Sequence, residues 1–152
     1  MIKKFNLFFC TLINVGKIKF APGTIASLIT CLFFLLSINV FDILILFFCT
    51  IVIFCYSFVA INSSFDSFNT NDPPEIVVDE VVGQMLPLLA IPIYETLYLA
   101  PKEYYCIAAF VLFRLFDIWK PFPISYIDNN TKGALGIMLD DILAGIYAVI
   151  VL

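Results

Sequence analysis

Two adjacent carboxylates, Asp79 and Glu80, interrupt the apolar run Ile76-Val-Val-Asp-Glu-Val-Val-Gly83. A carboxylate in apolar surroundings must be paired, protonated or bound to a cation, so this placement calls for a partner. Asp140 and Asp141 repeat the arrangement in Gly136-Ile-Met-Leu-Asp-Asp-Ile-Leu-Ala-Gly145. A third acidic spot, Asp117, lies in Phe113-Arg-Leu-Phe-Asp-Ile-Trp-Lys-Pro121, with Arg114 three residues before it and Lys120 three after. The chain has no histidine. Clustered carboxylates without imidazole suit a hard, oxygen-seeking cation such as Mg²⁺, which also favours phosphate oxygens as co-ligands. Phosphate has receivers here too. Arg114 can grip it at two points, while Lys17, Lys19, Lys120 and Lys132 act as point charges. The turn Pro22-Gly23-Thr24 adds the free amides of a helix N-terminus.

Each of these features also has a plainer reading. An acidic pair at a helix start complements the macrodipole, and Arg114 with Asp117 is a routine i,i+3 ion pair. Lysines near helix ends snorkel to head groups, and Gly136, Ala144 and Gly145 let helices approach closely. The coincidence of three acidic spots, each at an apolar boundary, favours one shared cation site.

The elements that must bring those spots together are membrane helices. Hydrophobic residues make up 62% of the 152, and mean hydropathy is +1.05, far above the globular average. Between Lys19 and Asp42 lie 22 uncharged residues and between Asp42 and Asp66 another 23, each about enough to cross a hydrocarbon core of roughly 30 Å. We therefore expect an all-α, compact helical membrane protein, one domain over 1–152, with about five main helices and an N-terminal interfacial helix.

In chain order, the basic-then-apolar start from Met1 to Val15 imitates a signal peptide but lacks a small-residue cleavage site, so the apolar stretch from Phe5 is expected to lie in the interface or against the bundle. Thr24 is expected to cap a first helix from Ile25 to about Asn39, and a second runs from Ile43 to about Ile61. A polar loop from Asn62 to Pro74 follows. A third helix starts near Glu75 and fades near Tyr94, kinked by Pro87 and Pro92; a fourth runs from about Lys102 to Trp119. A loop then leads to Gly136 and a last helix carrying Asp140 and Asp141. The five cysteines fit no metal spacing and read as small buried hydrophobes.

Alternating the crossings puts the Lys17–Thr24 turn, the Asp72–Glu80 entry, the Arg114–Lys120 exit and the Gly133–Asp141 entry on one side. That side holds nine of the twelve acids (Asp66, Asp72, Glu75, Asp79, Glu80, Asp117, Asp128, Asp140, Asp141). It also holds Lys17, Lys19, Arg114, Lys120 and Lys132 against Lys102 alone opposite, which makes it cytoplasmic by the positive-inside rule. A net charge of −4 without a basic run excludes nucleic acid as a partner. Nothing in the pattern specifies an oligomeric state.

Several phosphatase chemistries are excluded. A His nucleophile is absent, Cys106 and Arg114 are eight apart where a cysteine phosphatase needs six, and no Asp-x-Asp pair exists. Metal-assisted attack of water on a phosphate ester remains.

Four ordered motifs now stand out: Lys17-x-x-Phe20-Ala-Pro-Gly-Thr24-x-Ala26-Ser-Leu28, Asp72-Pro-x-x-Ile-Val-x-Asp79-Glu80-x-x-Gly83, Phe113-Arg114-x-Phe-Asp117-x-x-Lys120-Pro-x-Pro-Ile124 and Gly136-Ile-Met-x-Asp140-Asp141-x-x-Ala-Gly145. Together they resemble the phosphatidylglycerophosphatase A family over nearly the whole chain. Ala26 and Ala134 stand where that family usually has glycine. The resemblance implies Mg²⁺-dependent hydrolysis of phosphatidylglycerophosphate to phosphatidylglycerol and phosphate in the bacterial inner membrane. On this reading Asp79, Glu80, Asp140 and Asp141 hold the metal, and Asp79, Glu80, Asp117 and Asp141 form the catalytic set. Lys17, Gly23, Thr24, Arg114 and Lys120 bind the anionic phospholipid substrate.

Two other classes compete. A small transporter or channel subunit would spread its acids across the bilayer depth, whereas these spans lack interior charge. A bundle that only rests on the bilayer fits the last three helices, charge-free for only 14, 10 and 11 residues.

Overall fold

The computed structural model describes residues 2–65 and 73–152. Met1, Asp66, Asp72 and most of the polar loop between Asn62 and Pro74 lie outside the described residues. Among those described, the chain is all helical, in the order α1 (Ile2–Cys10), α2 (Pro22–Ser37), α3 (Ile43–Ser64), α4 (Val78–Tyr98), α5 (Lys102–Trp119), α6 (Ile124–Asn130) and α7 (Ala134–Val151). A short 3-10 turn, Val15–Lys17, links α1 to α2.

The expected five main helices are α2, α3, α4, α5 and α7, and their edges correct several readings. Proline explains two of the differences. Pro22 is the first residue of α2, preceded by Ala21 at φ 45°, so Thr24 lies inside the first turn and caps nothing. Proline fits that position because its φ is already helical and its missing N–H has no acceptor to lose. The stretch from Pro121 to Gly133, read as a loop, contains α6, which starts directly after Pro123. At seven residues it is too short to show a periodic pattern.

α1 stops at Cys10 rather than near Val15, because Leu12, Ile13 and Asn14 all adopt positive φ. It is tied to α3: the Tyr56 hydroxyl donates to Asn6 Oδ1 at 2.6 Å, and Asn6 Nδ2 donates to Ser63 Oγ. The α3 start is as the sequence implies, with Asp42 Oδ1 accepting from the Leu44 amide at 2.8 Å. Cys10, Cys31 and Cys106 are buried as expected, but Cys49 and Cys55 are exposed on α3. Helix α3 is peripheral, so most of its surface, including Leu44, Phe48, Val52 and Val59, faces outward.

Among the described residues, three helices are long and apolar enough to cross a membrane: α3, α4 and α7. Helix α2 is apolar but has only 16 residues, about 24 Å at 1.5 Å per residue. The chain is a membrane protein.

Helix α4 is the hub, packed against α2, α3, α5 and α7. It continues through both internal prolines to Tyr98. Pro87 has no amide to give the Gly83 carbonyl four residues back. That carbonyl instead meets α7: a Cβ built on Gly145 would lie 2.4 Å from Gly83 O, and one on Gly83 would lie 2.6 Å from Asp141 O. The two backbones therefore touch, and this contact sets α7 so that Asp141 stands beside the first turns of α4.

Apolar clusters flank this seam. Cys10, Ile61, Val78, Val82, Ile137 and Met138 join α1, α3, α4 and α7 at one end. Cys31, Phe34, Leu88, Ile91 and Ala109 join α2, α4 and α5 toward the other. There Lys102 Nζ donates to Asn39 Oδ1, and the Tyr94 hydroxyl donates to the Val149 carbonyl at 2.6 Å. The acidic spots gather at the first end.

Candidate active site

The polar end is built from the ends of three helices and a side chain from the third turn of α7. Asp79 and Glu80 are in the first turn of α4, where a carboxylate is favoured by the positive end of the helix dipole. Asp141 enters from α7 across the Gly83 contact, and Asp117 and Arg114 come from the last turns of α5. Gly23 brings the first turn of α2.

One oxygen each from Asp79, Glu80 and Asp141 lies within 4.8 Å of the others. Asp79 and Asp141 are buried, with 9% and 3% of their surface exposed. Asp79 Oδ1, Glu80 Oε2 and Asp141 Oδ2 are buried and have no hydrogen-bond partner among the described residues. Three converging carboxylates without donors repel one another and lose their hydration, an arrangement that a cation resolves. The limit of 4.8 Å lies near twice the usual metal–oxygen distance, about 4 Å for Mg²⁺ and about 5 Å for Ca²⁺, so a modest inward shift of these side chains would let one ion hold all three. Oxygen-only ligands select a hard divalent ion over zinc or copper.

Arg114 adjoins this cluster. Its Nη1 is 2.7 Å from Asp117 Oδ2, an ion pair of charge without hydrogen-bond alignment, and its Nε and Nη1 are buried donors without a hydrogen-bond acceptor among the described residues. Asp117 in turn is close enough to Glu80 and Asp141 to interact with both. Gly23 sits between the two sets: a Cβ there would come within 2.0 Å of Glu80 Oε1 and 3.3 Å of Arg114 Nη1. Gly23 and Thr24 lie in the first turn of α2, where the amides have no acceptor within the helix.

Gly23 supplies a test. In Gly23→Ala the added methyl meets the far end of a flexible side chain, so Glu80 moves and the fold does not. We expect thermal stability within about 0.5 kcal/mol of wild type and turnover reduced on the order of a hundredfold. Thermal unfolding and a phosphate-release assay on the same sample check both halves.

Three of the residues expected at the site, Asp140, Lys120 and Lys17, stand apart from the cluster. Asp140 Oδ2 is 2.7 Å from Lys120 Nζ, and its Oδ1 accepts from the Asp141 amide at 3.1 Å. Lys120 Nζ is also 2.6 Å from Asp128 Oδ1. Burial disfavours the Lys120 ammonium, but Asp128 and Asp140 outweigh it and hold its pKa above the ordinary lysine value. Lys120 therefore ties the end of α5 to α6 and α7. Lys17 is exposed and lines a separate depression with Lys19, Pro22 and Glu75, at the rim. Thr24 is half-buried beside Arg114 in a groove between α2 and α5.

Sequence reasoning passed over Gln84. It is fully buried, and neither atom of its amide has a partner among the described residues. Standing four residues after Glu80, it shares that helix face one turn deeper. The available signal was a lone amide in an otherwise apolar run.

The chain is similar to known proteins over most of its length. The family model described as Phosphatidylglycerophosphatase A matches residues 8–152. A Haemophilus influenzae protein named Phosphatidylglycerophosphatase A is 38% identical over 136 residues, covering 90% of this chain and 79% of its own. A Bacteroides thetaiotaomicron protein, named provisionally as a phosphatidylinositol-3-phosphatase, is 37% identical over 140 residues, 90% of this chain and 84% of its own. The Escherichia coli Phosphatidylglycerophosphatase A is 41% identical over 78 residues, 51% of this chain and 41% of its own. No solved structure matches.

Proposed function

The chain belongs to the phosphatidylglycerophosphatase A family and is a phosphatase, and from that premise we propose that it hydrolyses phosphatidylglycerophosphate to phosphatidylglycerol and inorganic phosphate in phospholipid synthesis. The observation that carries the proposal is the trio of buried, unpartnered carboxylate oxygens of Asp79, Glu80 and Asp141. Mg²⁺ is the ion proposed for it, and when bound it polarises the phosphoryl oxygens and activates water.

The chain's own groups do the rest. Arg114, oriented by Asp117, and the amides of Gly23 and Thr24 receive the non-bridging phosphate oxygens and stabilise the charge that grows on them. A water oxygen bonds to phosphorus as the ester P–O bond breaks. The proton lost by the water passes to a carboxylate of the cluster, and the departing glycerol oxygen takes up a proton to become an alcohol. Gln84 is placed to hydrogen-bond at the deep edge of the site. Asp140 and Lys120, already paired, hold the α7 carboxylates in register with α5. Lys17 and Lys19 act at the rim, drawing anionic head groups toward the opening. The site end is proposed to face the cytoplasm from the inner membrane, as the lysine and arginine distribution requires.

The test is phosphate release by purified protein from phosphatidylglycerophosphate, phosphatidic acid, a phosphatidylinositol 3-phosphate and a water-soluble phosphate ester, each with and without Mg²⁺. We expect the highest kcat/KM on phosphatidylglycerophosphate, and only with Mg²⁺. Preference for the inositol lipid would transfer the assignment to the activity in the Bacteroides relative's name.

A further inference from the structure

An open groove of about 720 Å³ between α2 and α5 is lined by Thr24, Phe110, Val111, Arg114, Leu115, Ile118 and Trp119, with Arg114 midway along its α5 wall. Arg114 and Thr24 are the groove's polar residues. Its outer wall is an α5 face on which Val111, Leu115, Ile118 and Trp119 are between 48% and 71% exposed. Gly23 joins groove to cluster, since the space a side chain would take there borders both Arg114 Nη1 and Glu80 Oε1. A fitting occupant must carry an anion at one end and hydrocarbon at the other.

A second apolar groove, of about 240 Å³ between α2, α3 and α4, is lined by Leu12, Phe33, Cys49 and Met85 and offers no charged group. It matches a chain alone and not a chain that ends in phosphate. The cation in the wall of the α2–α5 groove separates the two.

We propose that the α2–α5 groove is the substrate's lateral entry and seat, holding the diacylglycerol end of a phospholipid phosphate monoester while its phosphate meets Arg114 and the carboxylate cluster. The proposal rests on the lipid-phosphate reading above. Part of the enzyme's preference for lipid over soluble esters then resides on α5, outside the residues that do chemistry. Trp119 at the mouth of the groove suits the bilayer boundary, where indole rings settle.

The experiment fills the groove. Val111→Trp and, separately, Leu115→Trp are compared with Val52→Trp, which places the same bulk on the outward face of α3. Kinetics are measured on a long-chain phosphatidylglycerophosphate in mixed micelles and on a water-soluble glycerol phosphate ester. We expect kcat/KM for the lipid, divided by that for the soluble ester, to fall about tenfold or more in both groove variants and to keep its wild-type value in Val52→Trp. A displacement of the ester by an ångström is enough for such a loss. An unchanged ratio in the groove variants, whether both activities persist or both fall together, overturns the proposal. If wild type releases no phosphate from either compound, the functional reading fails instead.

A measurement on wild-type protein removes dependence on the variants' folding. A phosphatidic acid carrying a photoactivatable group in its acyl chain should label residues 110–119, and excess phosphatidylglycerophosphate should suppress that labelling while phosphatidylcholine does not. Competable labelling confined to the α2–α3–α4 groove, or none that competes, overturns the assignment.

Discussion

Asp141→Asn and Asp79→Asn are each expected to lose turnover on the order of a thousandfold while the protein stays folded. The amide keeps the size and shape of the carboxylate, so the α4–α7 packing around Gly83 and Gly145 is undisturbed. What disappears is one anionic oxygen of a three-oxygen set, and with it the charge that holds a divalent ion against phosphate. Stability should move the other way in metal-free protein. Two buried carboxylates and the half-buried Glu80 bring oxygens within 4.8 Å of one another, and each has an oxygen without a donor among the described residues, so neutralising one relieves repulsion that the folded state otherwise carries. Each variant should unfold at a temperature equal to or above that of wild type in chelator. A variant that loses activity by unfolding at lower temperature would mean that the carboxylate is structural. Asp140→Asn gives the contrast: its partners are Lys120 and the Asp141 amide, so a partial loss is expected, on the order of tenfold.

The second large effect concerns the ion itself. Treatment with chelator should abolish phosphate release, and added Mg²⁺ should restore it. Binding to the folded state alone stabilises by RT ln(1 + [L]/Kd), about 2.7 kcal/mol at a hundred times Kd. Wild type should therefore show a midpoint that climbs with Mg²⁺ concentration, whereas Asp79→Asn and Asp141→Asn should show little or none of that climb. Full activity in chelator would remove metal assistance and leave Arg114 and the α2 amides as the only source of charge stabilisation.

Much of this arrangement is legible in the sequence because charge in an apolar run is so expensive. Asp79, Glu80 and Asp141 announce themselves by their surroundings, and alternating crossings place them at one end, where the structure gathers them. The α5 bounds follow from Pro101 and Pro121 on either side, and Asp42 marks the start of α3. What escapes is information that depends on two segments at once. Asp140 and Asp141 are neighbours with the same flanks, yet successive helical residues point about 100° apart, so one meets the cluster and the other meets Lys120. Lys120 reads as a phosphate ligand until α6 delivers Asp128 to it. Gly23 looks like part of a turn, whereas its missing side chain leaves room for Glu80 and Arg114. Gln84 is silent for the opposite reason: one amide in an apolar helix is common, and only its burial without partners distinguishes it.

Direct titration of the ion tests the central claim without relying on turnover. Mn²⁺, as a spectroscopic stand-in for Mg²⁺, is titrated into purified wild-type protein, Asp141→Asn and Asp140→Asn while electron paramagnetic resonance follows the free ion. Wild type is expected to bind saturably in a way that Mg²⁺ competes away, Asp141→Asn to lose binding almost completely, and Asp140→Asn to retain it. Wild-type affinity in Asp141→Asn would show that Asp79, Glu80 and Asp141 do not share a cation, and would contradict the account.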